Sequence, residues 1–314
     1  MKIKSLVLAI SAVLFTTTVW ADNTVTTNTA GNYNTLSASQ QGGDGNTTSI
    51  TQSSDYNQST TSQTGNYNSA SVNQYNIYNY NYYSNNGSGL TNITQVGDNN
   101  SATIDQGNDT YYAALGNYGN QSNATINQQY AYNSSANITQ YEQFSTNWAT
   151  INQTGTANTA NIAQDYGYGD SASISQSGIN NAATINQNNW WNTSNSASIS
   201  QTGSGGQASI NQASDYSVAT ISQSGSGDVA SIGQTYAQNS SNASVTQSGS
   251  FDTTTIAQGN GSYWGGGYDT ITVSQTGDNN SATINQNIYG ATSYNNVANV
   301  TQGGYGNSVT INQN

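Results

Sequence analysis

The chain has 314 residues, of which only 5% are charged, and it contains no Cys, no Pro and no His. The absence of Cys excludes disulfides, and the absence of Cys and His excludes the most common catalytic bases and nucleophiles. Its two cations are Lys2 and Lys4, so the formal charge of −12 becomes −14 once the first 21 residues are removed. A chain without cations cannot neutralise phosphates, which excludes binding to nucleic acid or to an anionic membrane surface.

Residues 1–21 are typical of a secretory signal peptide. Lys2 and Lys4 form the basic region, Leu6–Phe15 the apolar region, and Val19-Trp20-Ala21 a cleavage site after Ala21. The apolar region is too short to span a membrane as a helix, and no later segment is apolar enough, so we expect no membrane insertion. Residues 22–34 form a polar leader that lacks the pattern of the rest of the chain.

From residue 35 to residue 314 a Gln-x-Gly motif recurs, with a second Gln eleven residues after the first. The Gln positions of the eleven copies are Gln41, Gln52, Gln63, Gln74, Gln95, Gln106, Asn117 (in place of Gln), Gln128, Gln153, Gln164, Gln176, Gln187, Gln201, Gln212, Gln223, Gln234, Gln247, Gln258, Gln275, Gln286, Gln302 and Gln313. The Gly positions are Gly43, Gly65, Gly97, Gly119, Gly155, Gly178, Gly203, Gly225, Gly249, Gly277 and Gly304. Such a period indicates a repeat architecture.

Within each copy, apolar and polar residues alternate with a period of two, which predicts strands and not helices. Each half of a copy has the pattern Ala-x-Ile-x-Gln, as in Ala149-Thr-Ile151-Asn-Gln153. Two residues after the first Gln stands Gly, and five residues after it stands Asn, Asp or Gly. These residues tolerate positive φ, so each copy is predicted to be a strand, a tight turn and a strand.

A single hairpin with only Ala and Ile on one face is marginal in water, so the copies are predicted to stack. Stacking places Ile on Ile and Gln on Gln, and each buried Gln amide can then bond to the amides above and below it. The predicted fold class is therefore all-β: a β-solenoid of about 11–12 rungs with two strands per rung.

The spacing of the copies is uneven and leaves two interpretations open. One gap contains an extra half-copy, Ala136-Asn-Ile138-Thr-Gln140, which would break the alternation of first and second strands. A second unrecognised strand in Ile77–Asn85 would restore it; alternatively, both segments are loops.

The final strand, Val309–Gln313, is followed only by Asn314, and we expect no cap on the last rung. Edge strands of soluble proteins carry Lys or Pro to prevent pairing, and this chain lacks both after residue 21. Head-to-tail stacking of such chains does not close and would yield an amyloid-like cross-β filament.

The repeats resemble the curlin repeat of bacterial curli, in an extended number. That repeat reads Ser, five residues, Gln-x-Gly-x-x-Asn-x-Ala, three residues, Gln. Gln95, Gly97, Asn100, Ala102 and Gln106 match it, although Asn or Asp often replaces the leading Ser. The low charge within the repeats resembles the major, bulk subunit of curli more than a nucleator.

The resemblance implies secretion through an outer-membrane pore and assembly into an extracellular, cell-surface fibre for biofilm and adhesion. The implied partners are further copies of the chain, a nucleator subunit and the pore. Residues 22–34 would address the pore; the alternative is a floppy terminus.

We predict no catalytic, cofactor or metal site. Asp98 and Asp105 lie in a turn and on a solvated face, and Asp44-Gly-Asn lacks the full spacing of a calcium loop. Aromatic clusters between the repeats are interpreted as loop packing, with a sticky surface as the alternative; they are Tyr75–Tyr83, Tyr111-Tyr112, Trp190-Trp191 and Tyr263-Trp264.

An alternative function arises from outward-facing Thr, because regular Thr arrays mark ice-binding or other surface-binding β-solenoids. The predicted Thr column contains Thr103, Thr125, Thr184, Thr255, Thr283 and Thr310. Ser, Asn or Asp interrupts it, which favours the fibre subunit.

Overall fold

The computed structural model describes residues 22–31, 33–53, 56–75, 89–107, 122–141, 147–188, 194–235, 241–260, 269–288 and 296–313. These residues form two parallel sheets, one of 12 strands and one of 11. We call them the odd sheet and the even sheet after the numbering of their strands.

The odd sheet contains β1 (Thr24–Thr29), β3 (Thr47–Gln52), β5 (Ser69–Tyr75), β7 (Ser101–Gly107), β9 (Ser135–Tyr141), β11 (Thr159–Asp165), β13 (Ala182–Asn188), β15 (Gln207–Ala213), β17 (Val229–Thr235), β19 (Thr253–Asn260), β21 (Ser281–Ile288) and β23 (Ser308–Gln313). The even sheet contains β2 (Thr35–Gln41), β4 (Gln58–Thr64), β6 (Leu90–Asp98), β8 (Asn123–Tyr132), β10 (Trp148–Thr156), β12 (Ser171–Ile179), β14 (Ser196–Gln201), β16 (Val218–Gln223), β18 (Asn242–Gln247), β20 (Thr270–Asp278) and β22 (Val297–Tyr305).

Successive strands alternate between the two sheets, and each pairs in parallel with the strand two places away. An even strand, a tight turn and the next odd strand form one rung, so β2 to β23 make eleven rungs and β1 adds a single strand before them. The prediction of a stacked β-solenoid with two strands per rung is confirmed.

The pairing register explains why the repeat folds this way, because like residues lie on like residues. Between β10 and β12, Ala149 pairs with Ala172, Ile151 with Ile174 and Gln153 with Gln176. The side chain of Ile151 is fully buried. Burial of one such side chain contributes about 1.5–3 kcal/mol, and the parallel stack adds the same contribution at each rung.

The extra half-copy Ala136–Gln140 is a strand, β9, and it pairs with β7 and β11. β9 does not disturb the alternation of even and odd strands, because β8, which contains Gln128, lies in the even sheet and is the first strand of this rung. The assignment of Gln128 as the second Gln of a copy that starts at Asn117 was therefore wrong. No additional strand is needed to restore the alternation; Asn117, Gly119 and Ile77–Asn85 lie outside the described residues.

The rung of β8 and β9 also shows that the turn Gly can be replaced. Its two Gln residues, Gln128 and Gln140, are twelve residues apart, and the extra residue is absorbed by a bulge in the pairing. Beyond the bulge, Gly97 and Gly155 both pair with Ala131, so Ala131 occupies the Gly position in this rung.

The polar leader, residues 22–34, contains a strand that the sequence did not predict. β1 pairs in parallel with β3 over its whole length, from Thr24 opposite Thr47 to Thr29 opposite Gln52. The described residues include no helix that is long and apolar enough to cross a membrane.

Candidate functional site: two buried amide ladders

The centre of the solenoid contains two ladders of Gln side chains, one in each sheet, and all but the terminal members Gln40 and Gln313 are buried. In the even sheet, Nε2 of each Gln donates to Oε1 of the next at 2.7–2.9 Å, through Gln40, Gln63, Gln95, Gln128, Gln153, Gln176, Gln201, Gln223, Gln247, Gln275 and Gln302. In the odd sheet the corresponding distances are 2.5–3.2 Å, through Gln52, Gln74, Gln106, Gln140, Gln164, Gln187, Gln212, Gln234, Gln258, Gln286 and Gln313.

The first member of the even ladder is Gln40 and not Gln41, which corrects the assignment from sequence. Gln40 pairs with Gln63 and donates to its Oε1, whereas Gln41 pairs with Thr64 and is exposed. The spacing of eleven residues had pointed to Gln41, but the two ladder positions of this first rung, like those of β8 and β9, are twelve residues apart.

Most ladder amides also join the two sheets. Gln223 Nε2, for example, donates to Gln247 Oε1 at 2.9 Å and to the backbone oxygen of Gln207, in the odd sheet, at 3.1 Å. The buried Gln therefore holds both the neighbouring rung in register and the facing strand in place. A buried amide with all its bonds made stabilises one register, because any shift would leave it unsatisfied.

A second set of ladders runs through the turns, six residues before each ladder Gln. In the turns within rungs, the backbone N–H of Asn100 donates to Asn68 Oδ1 at 3.1 Å, and Asn68 Nδ2 donates to the oxygen of Gly97 at 2.7 Å. The same position in the turns between rungs gives the bond from Asn195 N to Asp170 Oδ1 at 2.8 Å. This is also the position of the leading residue of the curlin pattern, where Asn and Asp often replace Ser.

The sequence predicted a positive φ at these turn-ladder positions, five residues after the first Gln, and that prediction was wrong. The positive φ lies one residue earlier, for example at Asn99 and Asn279. Asn100 and Asn280 are instead buried, and their side-chain amides are hydrogen-bonded. Asn therefore occurs at these positions because of its amide group and not because it tolerates a positive φ.

At most rungs the Gly of the Gln-x-Gly motif is required because the backbone of the next rung lies close to it. A Cβ on Gly97 would lie 2.0 Å from the backbone oxygen of Ala131, and one on Gly225 would lie 1.6 Å from that of Gly249. Gly97 also has a positive φ of 127°. Of the predicted turn positions, the described ones are Gly43, Gly65, Gly97, Gly155, Gly178, Gly203, Gly225, Gly249, Gly277 and Gly304.

Three Asp residues, Asp170, Asp228 and Asp252, occupy buried turn-ladder positions where most other rungs carry Asn. Burial raises the pKa of Asp170 to about 6, and the nearby Asp215 contributes in the same direction. Burial also raises the pKa values of Asp228 and Asp252, and for Asp228 the adjacent Asp252 adds to the effect. The Oδ2 atoms of Asp228 and Asp252 are buried without a hydrogen-bond partner.

The other predicted features are placed as follows. The Thr column of the odd sheet contains Thr103, Thr184, Thr255, Thr283 and Thr310, whereas Thr125 lies in the even sheet, so its assignment to that column was wrong. Between β7 and β13 the column is interrupted by Asn137 and Asn161. Of the aromatic clusters, all but Tyr75 lie outside the described residues, and within those residues there is no group of three or more acidic side chains arranged to bind a metal.

The fold and the ladders define a class of protein: a β-solenoid whose rungs are joined by stacked Gln amides in each sheet. Residues 43–75, from the first turn through β5, match the family model of the curlin associated repeat. This match confirms the resemblance to the curlin family. A search of curated proteins found no match to the chain.

Proposed function

We propose that this chain is a structural subunit of an extracellular curli-type amyloid fibre for biofilm matrix and adhesion, and that it assembles by head-to-tail stacking. The curlin repeat and the solenoid are structural and not catalytic. Residues 1–21 would be removed as a signal peptide, and the secreted chain would act as the bulk subunit, with a nucleator and an outer-membrane pore as partners.

The observation that carries the proposal is that the two ends of the described stack present complementary edges. At one end β22 and β23 leave Gln302 and Gln313 without a following rung, and at the other end β2 begins the even ladder with Gln40. In the even sheet, β2 and β22 both carry the inward ladder Gln of the strands between them. A second copy can therefore extend this ladder in the same register, with the strands lying across the fibre axis.

Growth from preformed fibres tests the proposal. We expect residues 22–314 to form fibres that bind thioflavin and that shorten the lag phase when sheared fragments are added to fresh protein. The templating is expected because each exposed rung orders the next chain against it. Persistent monomer at high concentration would contradict the proposal, and thermal hysteresis without fibres would favour an ice-binding role instead.

A further inference from the structure

β1 pairs with the edge of β3, but the inward side chains of β1 do not match those of β3. The two strands are held by backbone bonds, among them Thr24 N to the oxygen of Asn46 at 2.8 Å and Ala30 N to the oxygen of Gln52 at 2.7 Å. The register places Thr27 opposite Ile50 and Thr29 opposite Gln52. The inward positions of β1 therefore lack both the Ile of the core column and the Gln of the ladder, and the strand is largely exposed.

The mismatch leaves a buried acceptor without a donor. Throughout the odd ladder, Nε2 of each Gln donates to Oε1 of the Gln in the following rung; Gln52 donates to Gln74 in this way at 3.0 Å. Gln52 itself is fully buried, but its Oε1 has no hydrogen-bond partner, because Thr29 stands where the preceding Gln would be. A buried acceptor in this state is unfavourable, and a strand that supplied a Gln Nε2 would satisfy it.

β23 carries the residues that β1 lacks. Its inward side chains are Val309, Ile311 and Gln313, which continue the columns of Ala282, Ile284 and Gln286. Gln313 Nε2 bonds to the backbone oxygen of Val297 at 3.3 Å, and at the end of the described ladder it has no further Gln to which it can donate. Placed against β3, β23 of a second copy would set Ile311 on Ile50 and give Gln52 Oε1 its missing donor.

The number of strands in each sheet also favours contact between β23 of a second copy and β3. Among the described residues β1 is half a rung, since it adds a strand to the odd sheet without a companion in the even sheet. If a second copy stacked on β1, the odd sheet would continue, but β22 and β2 would be separated by one missing strand. If β1 leaves, β22 meets β2 and β23 meets β3 at once, and both sheets continue without a gap.

We propose that β1 is a displaceable strand that protects the assembly edge of the unassembled chain, and that β23 of a second copy replaces it on β3 during fibre growth. The inference rests on the proposed head-to-tail stacking and specifies its junction. The exchange removes a strand with one inward apolar side chain, Val25, and installs one with two and a ladder Gln. It is therefore favourable once a neighbour is present, whereas the isolated chain keeps its edge covered.

Engineered cysteines can report which strand contacts which, because the natural chain has no Cys. Thr26, Ser49 and Thr310 all belong to the same column of the odd sheet, on its outer face. Neighbouring parallel strands lie about 4.8 Å apart, which is within the range that a disulfide spans. We expect oxidised fibres of the Ser49→Cys/Thr310→Cys variant to form covalent multimers and those of Thr26→Cys/Thr310→Cys to remain monomeric on a denaturing gel.

The opposite pattern, multimers only in the Thr26→Cys/Thr310→Cys variant, would overturn the inference while leaving head-to-tail stacking intact. Fibres in which neither variant cross-links would overturn both the inference and the proposed stacking. If neither double variant forms fibres, although the unsubstituted chain does, a second measurement uses fibres of the unsubstituted chain that contain small amounts of two single variants. The pairs are Ser49→Cys with Thr310→Cys, and Thr26→Cys with Thr310→Cys, and the cross-links are identified by non-reducing peptide mapping. There, a Ser49–Thr310 cross-link supports the exchange and a Thr26–Thr310 cross-link contradicts it.

A disulfide between β1 and β3 tests whether fibre elongation requires the release of β1. In Thr26→Cys/Ser49→Cys, oxidation ties β1 to β3, and we expect loss of elongation on seeds of the unsubstituted chain and recovery after reduction. The matched control is Ser209→Cys/Ser231→Cys, which joins β15 to β17 in the same column inside the stack and should elongate in both states. Equal elongation of the oxidised and reduced Thr26→Cys/Ser49→Cys variant would contradict the exchange.

Discussion

Replacing Gln223 with Ala is expected to lower the free energy of unfolding by about 2–6 kcal/mol. Gln223 accepts a bond from Gln201 Nε2 at 2.7 Å and donates to Gln247 Oε1 at 2.9 Å. Its removal leaves a donor on one neighbour and an acceptor on the other buried without their ladder partner, and each such group is unfavourable by about 1–3 kcal/mol. A midpoint of guanidinium unfolding measures the loss.

The matched control is the same substitution at Gln207, which is exposed at the start of β15 and contributes only its backbone oxygen to Gln223. We expect Gln207→Ala to change the stability by no more than about 0.5 kcal/mol. Because rungs contact only their neighbours, hydrogen exchange should increase mainly around β14, β16 and β18. Equal losses in the two variants would show that the ladder does not hold the rungs together.

Replacing Asp170 with Asn is expected to stabilise the folded chain at pH 7 by about 3 kcal/mol. The pKa of Asp170 is raised to about 6, chiefly by burial, from an ordinary value of 3.8. The folded state therefore binds this proton more tightly than the unfolded state. Its contribution to stability is fully present below pH 4 and is lost as the pH rises through about 6. Asn keeps the acceptor that bonds to Asn195 N and carries no charge.

Asp228 and Asp252 are expected to act in the same direction. Asn181, at the matching position two rungs before Asp228, donates from Nδ2 to the oxygen of Gly203 at 2.9 Å. Asp228 Oδ1 accepts from the N–H of Asp252 as Asn does, so Oδ2 takes the place of the amide nitrogen and can donate only when it is protonated. Asp228→Asn and Asp252→Asn would supply that donor at all pH values.

Thermal and guanidinium unfolding between pH 4 and pH 7 tests this prediction. The unsubstituted chain should lose stability across this range, and the triple Asn variant should lose much less. Asp44→Asn, at an exposed carboxylate, serves as the control for the single variant Asp170→Asn, because each removes one formal charge and only Asp170→Asn changes a buried group. If Asp44→Asn flattened the pH profile as much as Asp170→Asn, general charge repulsion and not the buried ladder would be the cause.

The sequence predicted the fold class because its two periods are independent of each other. Alternation such as Ala149-Thr-Ile151-Asn-Gln153 indicates a strand, and recurrence of the whole unit indicates stacking. Together they leave little choice of register, since a shift by one residue would turn Ile151 and Gln153 to the solvent. The register of Ile151 on Ile174 and Gln153 on Gln176 follows directly from that pattern.

The details that could not be predicted arise where the turn length varies. A fixed spacing of eleven residues selects Gln41 and Asn117, whereas two rungs have a spacing of twelve. These rungs contain Gln40 with Gln52 and Gln128 with Gln140, and in the second a bulge absorbs the extra residue. The side-chain pattern of a strand contains no information about this bulge, and Ala131 in place of Gly concealed the turn. β1 was not predicted for a different reason: its residues lack the repeat pattern, and it is held by backbone hydrogen bonds to β3.

The most direct test of the account is the mass per unit length of the fibre. Eleven rungs spaced at about 4.8 Å predict one chain per about 53 Å of fibril axis in each protofilament. Measured by scanning transmission electron microscopy on fibres of residues 22–314, with fibre diffraction confirming the 4.8 Å spacing, one chain per about 53 Å would support the stacked solenoid. One chain per about 4.8 Å, the value for extended chains stacked in register, would contradict it.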